Sequence, residues 1–219
     1  MILVPVKNLK NAKKRLATLL TAPQRLALAA AMLEDVLGAL AACAVESKIA
    51  LVTSEPEAVR LAKEFSCETI ADYDNLGETE AIAMATQVCE AKGDTETLVL
   101  PADIPLITPA EIDHIFAAAP AQGSLMVPSR EGSGTNAVLR RPAALFPLKF
   151  GADSFQPHLR SAKHTGNPCV VLQLPGIALD VDRPDDLRLL FAASGNTRAQ
   201  LLLRKWDIGQ RLVAAAVPA

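Results

Sequence analysis

Short apolar runs recur along this chain with helix-patterned segments between them, and no other feature constrains the fold as strongly. The runs are ILVPV at 2–6, KIALVTS at 48–54, ETLVLPA at 96–102 and SLMVP at 124–128. Near-continuous apolar strands separated by helices specify an α/β fold with a largely parallel sheet. Between the first two runs, residues 23–43 are rich in Ala and Leu, and Leu26, Ala29, Ala30, Leu33 and Leu37 recur at the spacing of one helix face. That spacing predicts a crossover helix. Thr21, Ser54 and Thr108 each stand three residues before Gln24, Glu57 and Glu111, the capping-box spacing of a helix start. Pro109 follows Thr108 at the favoured first helical position.

A chain of 219 residues can bury one sizeable core. The expectation is therefore a single Rossmann-like domain over 1–219, three layers deep around a mostly parallel sheet. After Val127 the alternation changes: SREGSGTNAVLRRP reads as a glycine-rich loop entering a strand, and FGADSFQPHLRSAKH as a loop entering a helix. CVVLQLPGIALDVD then returns to strand character before the helix of RPDDLRLLFAAS. In the C-terminal tail, Leu201, Leu202, Leu203 and Trp206 serve either as a helix packed on the domain or as the contact of a homodimer.

Charge and motif content exclude several classes. A formal net charge of −2 gives no footprint for nucleic acid, and no apolar run approaches the roughly 20 residues that span a bilayer. Met1 leads directly into a strand-like run without a basic signal region, so a cytoplasmic protein without membrane contact is expected. Cys43, Cys67, Cys89 and Cys169 form no CxxC pair, and His114, His158 and His164 are equally dispersed, which supports neither a zinc site nor a histidine-based triad. GxGxxG and GxxxxGK[ST] are both missing, which leaves a nicotinamide dehydrogenase or a P-loop enzyme without support.

Three segments carry residue types suited to phosphate and metal chemistry. In LPADIPLI, residues 100–107, Asp103 stands just past a buried strand, where open parallel sheets bind ligands. It can hold a metal there, or hydrogen-bond backbone in a turn braced by Pro101 and Pro105. In ALDVDRPDDL, residues 178–187, Asp180 and Asp182 alternate along an expected strand and so share a face. Asp182 also stands where an N-cap would precede Pro184, and Asp185 and Asp186 suit a helical first turn. With Asp103 this acidic pair makes a carboxylate site of the kind Mg²⁺ takes, completed by water and substrate phosphates. In VPVKNLKNAKKRL, residues 4–16, Lys7, Lys13 and Arg15 follow the first strand at positions suited to a triphosphate, whereas Lys10 and Lys14 read as solvated surface. The loops GSGTNA (132–137) and FGADSF (150–155) pair glycines with Thr135 and Ser154, which offer neutral donors to an oxyanion; a hairpin turn accounts for the first equally well.

In order and spacing, VPVKNLKNAKKRLA, LPADIPLITPAEI, GTNAV, FGADSFQPHL and ALDVDRPDDL resemble the CofC/FbiD family, the guanylyltransferases of coenzyme F420 biosynthesis. The resemblance spans nearly the whole chain and implies a GT-A-like nucleotidyltransferase fold. It also implies the reaction: transfer of GMP from GTP to 2-phospholactate, phosphoenolpyruvate or 3-phosphoglycerate, with release of pyrophosphate. Carried over by position, Asp103 and Asp182 are the catalytic metal-binding aspartates, with Asp180 beside them. Thr135, Gly151 and Ser154 hold the phospho-acid, and Lys7, Lys13 and Arg15 lie by the triphosphate. One segment departs from the family pattern. NLGETEAIAMA, residues 75–85, lacks the asparagine that relatives carry before an Ala-rich helix. Asn75, Thr79 or Glu80 are the residues placed to substitute, Glu80 by accepting the N1–H and N2–H₂ edge of guanine; Thr79 and Glu80 equally suit a helix start. Relatives acting on a molybdopterin or a sugar phosphate open with a glycine-rich LAGG-type loop, which VPVKNLKNAKK is not. A nucleotide-binding protein without catalysis would have no need of both acidic elements.

Overall fold

A computed structural model describes residues 1–7, 9, 12–74, 76–151 and 153–214. Seven strands form one sheet: β1 (Ile2–Pro5), β2 (Ile49–Val52), β3 (Glu68–Ile70), β4 (Thr97–Val99), β5 (Gly123–Pro128), β6 (Thr135–Arg141) and β7 (Cys169–Val171). Their spatial order is β3-β2-β1-β4-β6-β5-β7. β6 runs antiparallel to both of its neighbours, and the remaining pairs are parallel, so the sheet is mostly parallel as the sequence pattern requires.

Alternation along the strands separates two cores. Ile2, Val4, Leu51, Leu98 and Leu139 face one side, while Met1, Leu3, Val52, Val99 and Val138 face the other. Helices α1 (Ala22–Ala42), α2 (Pro56–Glu64) and α4 (Pro109–Ala118) bury apolar faces in the first core. α3 (Glu78–Ala91) and α5 (Phe155–His164) cover the second, which gives the three layers. Each fully buried Leu of α1, such as Leu33 or Leu37, contributes about 2 kcal/mol of transfer free energy.

α1 is apolar over a wider arc than its stripe suggested, because it is covered twice. Leu33, Val36, Leu37 and Leu40 pack on the sheet side. Leu28, Ala31 and Met32 join a third cluster with α7 (Pro184–Ala192), α8 (Arg198–Lys205) and α9 (Ile208–Ala214). The C-terminal tail thus packs on its own chain: Leu203 is buried and Leu202 and Trp206 pack against the third cluster, leaving Leu201 exposed.

The capping boxes at Thr21 and Thr108 form as expected. The one expected at Ser54 does not. Pro56 starts α2 with Glu55 as its N-cap, Glu55 N–H donates to Thr53 Oγ1, and Glu57 turns outward to pair with Arg60. The strand expected at 178–182 is also missing. Pro175 opens a short helix, α6 (Pro175–Ala178), and Asp180 and Asp182 follow it in irregular backbone. Gly176 makes that turn possible: a Cβ there would lie 2.3 Å from the Leu106 carbonyl oxygen. Its N–H donates at 2.8 Å to Glu111, which also closes the α4 capping box, so α4 and α6 are pinned together beside the strand ends.

Candidate active site

The loops after β1 and β4 and the segment after α6 meet at the carboxyl ends of the parallel strands. The Val181 N–H donates to the Asp103 carbonyl at 3.0 Å, which fixes the two acidic segments against each other. Lys13 lies between them. Its Nζ donates at 2.5 Å to Asp103 Oδ2 and at 2.7 Å to Asp182 Oδ1, and its side chain is only 7% exposed. Burial works to lower the Lys13 pKa, but the charges and hydrogen bonds of the two carboxylates outweigh it and raise it to about 12. Lys13 also sits at φ 56°, a left-handed conformation that costs a non-glycine residue about 1 kcal/mol. Backbone strain and a buried charge at one residue mark a position shaped by its two partners.

The acidic residues divide by partner. Asp182 meets opposing influences: burial acts to raise its pKa, while Lys13, then Arg15 at 3.7 Å and Arg183, hold it below the usual carboxylate value. It does not cap α7. Asp186 does so from within the helix, accepting the Asp182 and Arg183 N–H groups at 3.1 and 2.8 Å. Asp180 accepts from Asn136 Nδ2 at 3.0 Å, and its pKa is raised, first by burial and against the Asn136 bond. Asp103 and Asp182 are therefore joined through Lys13, whereas Asp180 is held aside by Asn136. Among the described residues no cluster of three or more potential metal ligands is preassembled.

Two cavities flank this bridge. One of about 260 Å³ is lined by Lys7, Lys13, Glu78 and Asp103 among others. Lys7 Nζ lies 3.0 Å from Asp72 Oδ2, but makes no hydrogen bond among the described residues. Glu78, the first residue of α3, was not apparent from sequence. Surrounding protein, then Asp103, push its pKa up to about 7, with Asp182 adding and Lys7 opposing. The Glu78 side chain also remains exposed to solvent, which screens the repulsion from the two aspartates.

The other cavity, about 570 Å³, is lined by Arg15, Asn136, Gly151, Asp153, Asp180 and Asp182 among others. Gly151 has φ 131°, a region that in practice only glycine adopts. The GSGT loop is the β5–β6 hairpin, closed by Ser129, and its Ser133 carbonyl accepts the Phe155 N–H at 2.9 Å, so the two glycine loops are one unit. Thr135 and Ser154 are both buried behind this wall, with Ser154 Oγ 3.3 Å from Thr135 Oγ1. Of the residues in the divergent segment, Thr79 Oγ1 accepts the Phe150 N–H at 2.9 Å, and Glu80 is exposed on the first turn of α3. Lys10 and Asn75 lie outside the described residues.

A family model described as "Guanylyl transferase CofC like" matches residues 1–214. The chain belongs to the CofC-like guanylyl transferase family. A phosphoenolpyruvate guanylyltransferase of Sphaerobacter thermophilus is 35% identical over 187 residues, covering 85% of this chain and 90% of that protein. A 2-phospho-L-lactate guanylyltransferase of Methanobrevibacter smithii is 28% identical, with 94% and 90% covered. Among solved structures, a protein of Desulfovibrio desulfuricans G20 assigned as a nucleotide-diphospho-sugar transferase superposes with a TM-score of 0.78. It shares 20% identity over 95% of this chain and 96% of its own, a likeness of fold. Among the described residues no helix is long and apolar enough to cross a membrane.

Proposed function

We propose that the chain transfers GMP from GTP to the phosphate of a three-carbon phosphorylated carboxylic acid, phosphoenolpyruvate or 2-phospholactate, as a step of coenzyme F420 biosynthesis. The observation that carries the reading is the Asp103–Lys13–Asp182 bridge standing between two cavities, one lined by basic residues of the first loop and the other by the glycine loops. In this reading the nucleotide triphosphate lies by Lys7 and Lys13 and reaches Arg15 across the Asp182 side of the bridge, and the acid lies against Gly151, with Thr135 and Ser154 directly behind that wall. Thr79 and Glu80, assigned to the nucleotide in this reading, follow Glu78 of the nucleotide-side cavity on the first turn of α3. A phosphate oxygen of the acid attacks the α-phosphorus, the bond to the bridging oxygen of pyrophosphate breaks, and pyrophosphate leaves with the electron pair. The nucleophile is already an anion at neutral pH, so no general base is required; the barrier is charge repulsion and alignment.

The donor set fits a hard divalent cation. Asp103 and Asp182 already share one positive charge, the Lys13 ammonium, and a two-carboxylate site suits Mg²⁺. Asp103 and Asp182 would hold it, with Asp180 in reach of the same segment, and bound Mg²⁺ would supply charge neutralisation at the α-phosphate. With a cation held there, the Lys13 ammonium would be available to the triphosphate, and Arg15 would offer a second positive charge to pyrophosphate. Phosphorus-31 NMR of a reaction with GTP and phosphoenolpyruvate tests the reading. A coupled pair of diphosphate signals from the new anhydride, with free pyrophosphate, is expected; GTP left unchanged with either acid would refute it.

A further inference from the structure

His158 plays no part in the chemistry above, yet both of its ring nitrogens are partnered behind the larger cavity. It is 1% exposed, in the first half of α5, with its ring edge-on to Phe150 at a centroid distance of 5.3 Å. Nε2 lies 2.8 Å from the Lys149 N–H, and Nδ1 lies 3.0 Å from Thr135 Oγ1. A backbone N–H can only donate, so Nε2 must carry a lone pair and the ring proton resides on Nδ1. Nδ1–H therefore donates to Thr135 Oγ1. Burial, and then the charge of Arg140, lower the His158 pKa to about 4, so the ring is neutral under ordinary conditions.

This tautomer fixes the polarity of the next two groups. Thr135 Oγ1 accepts from His158, and one bond joins it to Ser154 Oγ. Two hydroxyls hold two protons, and a single bond between them uses one. Whichever way that bond points, one hydroxyl proton is unspent at the end of the chain. Thr135 stands between Gly134 and Asn136, and Ser154 follows Asp153, three neighbours that line the larger cavity.

We propose that His158 is a positioning residue that makes the Thr135–Ser154 pair a net donor toward the anionic acceptor acid. The chain runs Lys149 N–H, His158, Thr135, Ser154, and its polarity is set by one backbone group. A carboxylate or phosphate oxygen needs such donors, and a ring of the opposite tautomer would demand the Thr135 proton for itself. This inference rests on the acid-site reading given under Proposed function.

Nitrogen-15 NMR of histidine-labelled wild-type protein at pH 7 reads the tautomer without reference to activity. The expected result is a protonated Nδ1 and a bare Nε2, with the Nδ1 signal shifting when phosphoenolpyruvate is added. In steady-state kinetics, His158→Gln keeps an acceptor for Lys149 but places no donor at Nδ1. It should raise the acid KM roughly tenfold, the loss of one hydrogen bond serving a charged ligand, with the GTP KM unchanged. His158→Asn restores a donor near the Nδ1 position and should recover most of that loss. A proton found on Nε2, both KM values moving together in His158→Gln, or no recovery in His158→Asn would overturn the inference while leaving an active wild type, and thus the acid-site reading, intact. No turnover by wild type with any phospho-acid would overturn both.

Discussion

Lys13→Met removes the one positive charge between Asp103 and Asp182 while keeping a long side chain. The rise of the Lys13 pKa from 10.5 to about 12 corresponds to about 2 kcal/mol of stability. Because a raised amine pKa stabilises the folded state below the unfolded value, that contribution is present in full below pH 10.5 and disappears as pH rises through about 12. In the variant the two carboxylates, about 5 Å apart across the vanished ammonium, also repel by ~3 kcal/mol at an effective dielectric near 20. Water discounts this second part, since Asp182 is 44% exposed. The expected cost at pH 7.5 is about 2–4 kcal/mol by urea denaturation, with an unchanged m-value. Mg²⁺ should restore more stability to Lys13→Met than to wild type, because in the variant the cation no longer competes with an ammonium for the same oxygens. A loss below about 0.5 kcal/mol, or equal Mg²⁺ responses, would refute the claim that Lys13 and the metal share one seat.

Asp103→Asn should lower pyrophosphate release at least a hundredfold with an unchanged circular dichroism spectrum; near-wild-type turnover would remove Asp103 from the reacting centre. Ser154→Ala should raise the KM of the acid several-fold and leave that of GTP alone, and an unchanged acid KM would move the acid elsewhere. Glu78 has a carboxyl raised to about 7, so its ionisation destabilises the fold above that pH and has no effect below the unfolded carboxylate value. Glu78→Gln should therefore melt higher than wild type at pH 8.5 and equally at pH 4; the opposite ordering would contradict the repulsion assigned to Asp103 and Asp182.

Much of the fold was legible because it is written in local pattern. The runs that became β1, β2, β4 and β5 are apolar on both faces, and the Thr21 and Thr108 caps sit within their own helices. β3 escaped notice because three residues, Glu68–Ile70, carry only one buried side chain. The 178–182 segment failed as a strand because Gly176 lets backbone approach Leu106 so closely that α6 forms instead. The position of Asp103 just past β4 was readable from the apolar run before it. The Lys13 bridge from Asp103 to Asp182 was not, since Lys13 lies 90 positions from the first and 169 from the second and meets them only through the sheet order. His158 and Asn136 were invisible for a related reason: each acts on a neighbour brought in by the fold, and neither has a spacing signature of its own. Glu78 precedes Thr79 and Glu80 on the first turn of α3, and what sets it apart is its place in the cavity wall, which no local pattern reveals.

The central claim is tested most directly by pyrophosphate release in Mg²⁺ with GTP, ATP, CTP and UTP, each crossed with phosphoenolpyruvate, 2-phospholactate and 3-phosphoglycerate. The account predicts turnover with GTP and phosphoenolpyruvate or 2-phospholactate, and none when the acid is left out. Equal turnover with every nucleotide, or release of pyrophosphate with none of the acids, would contradict it.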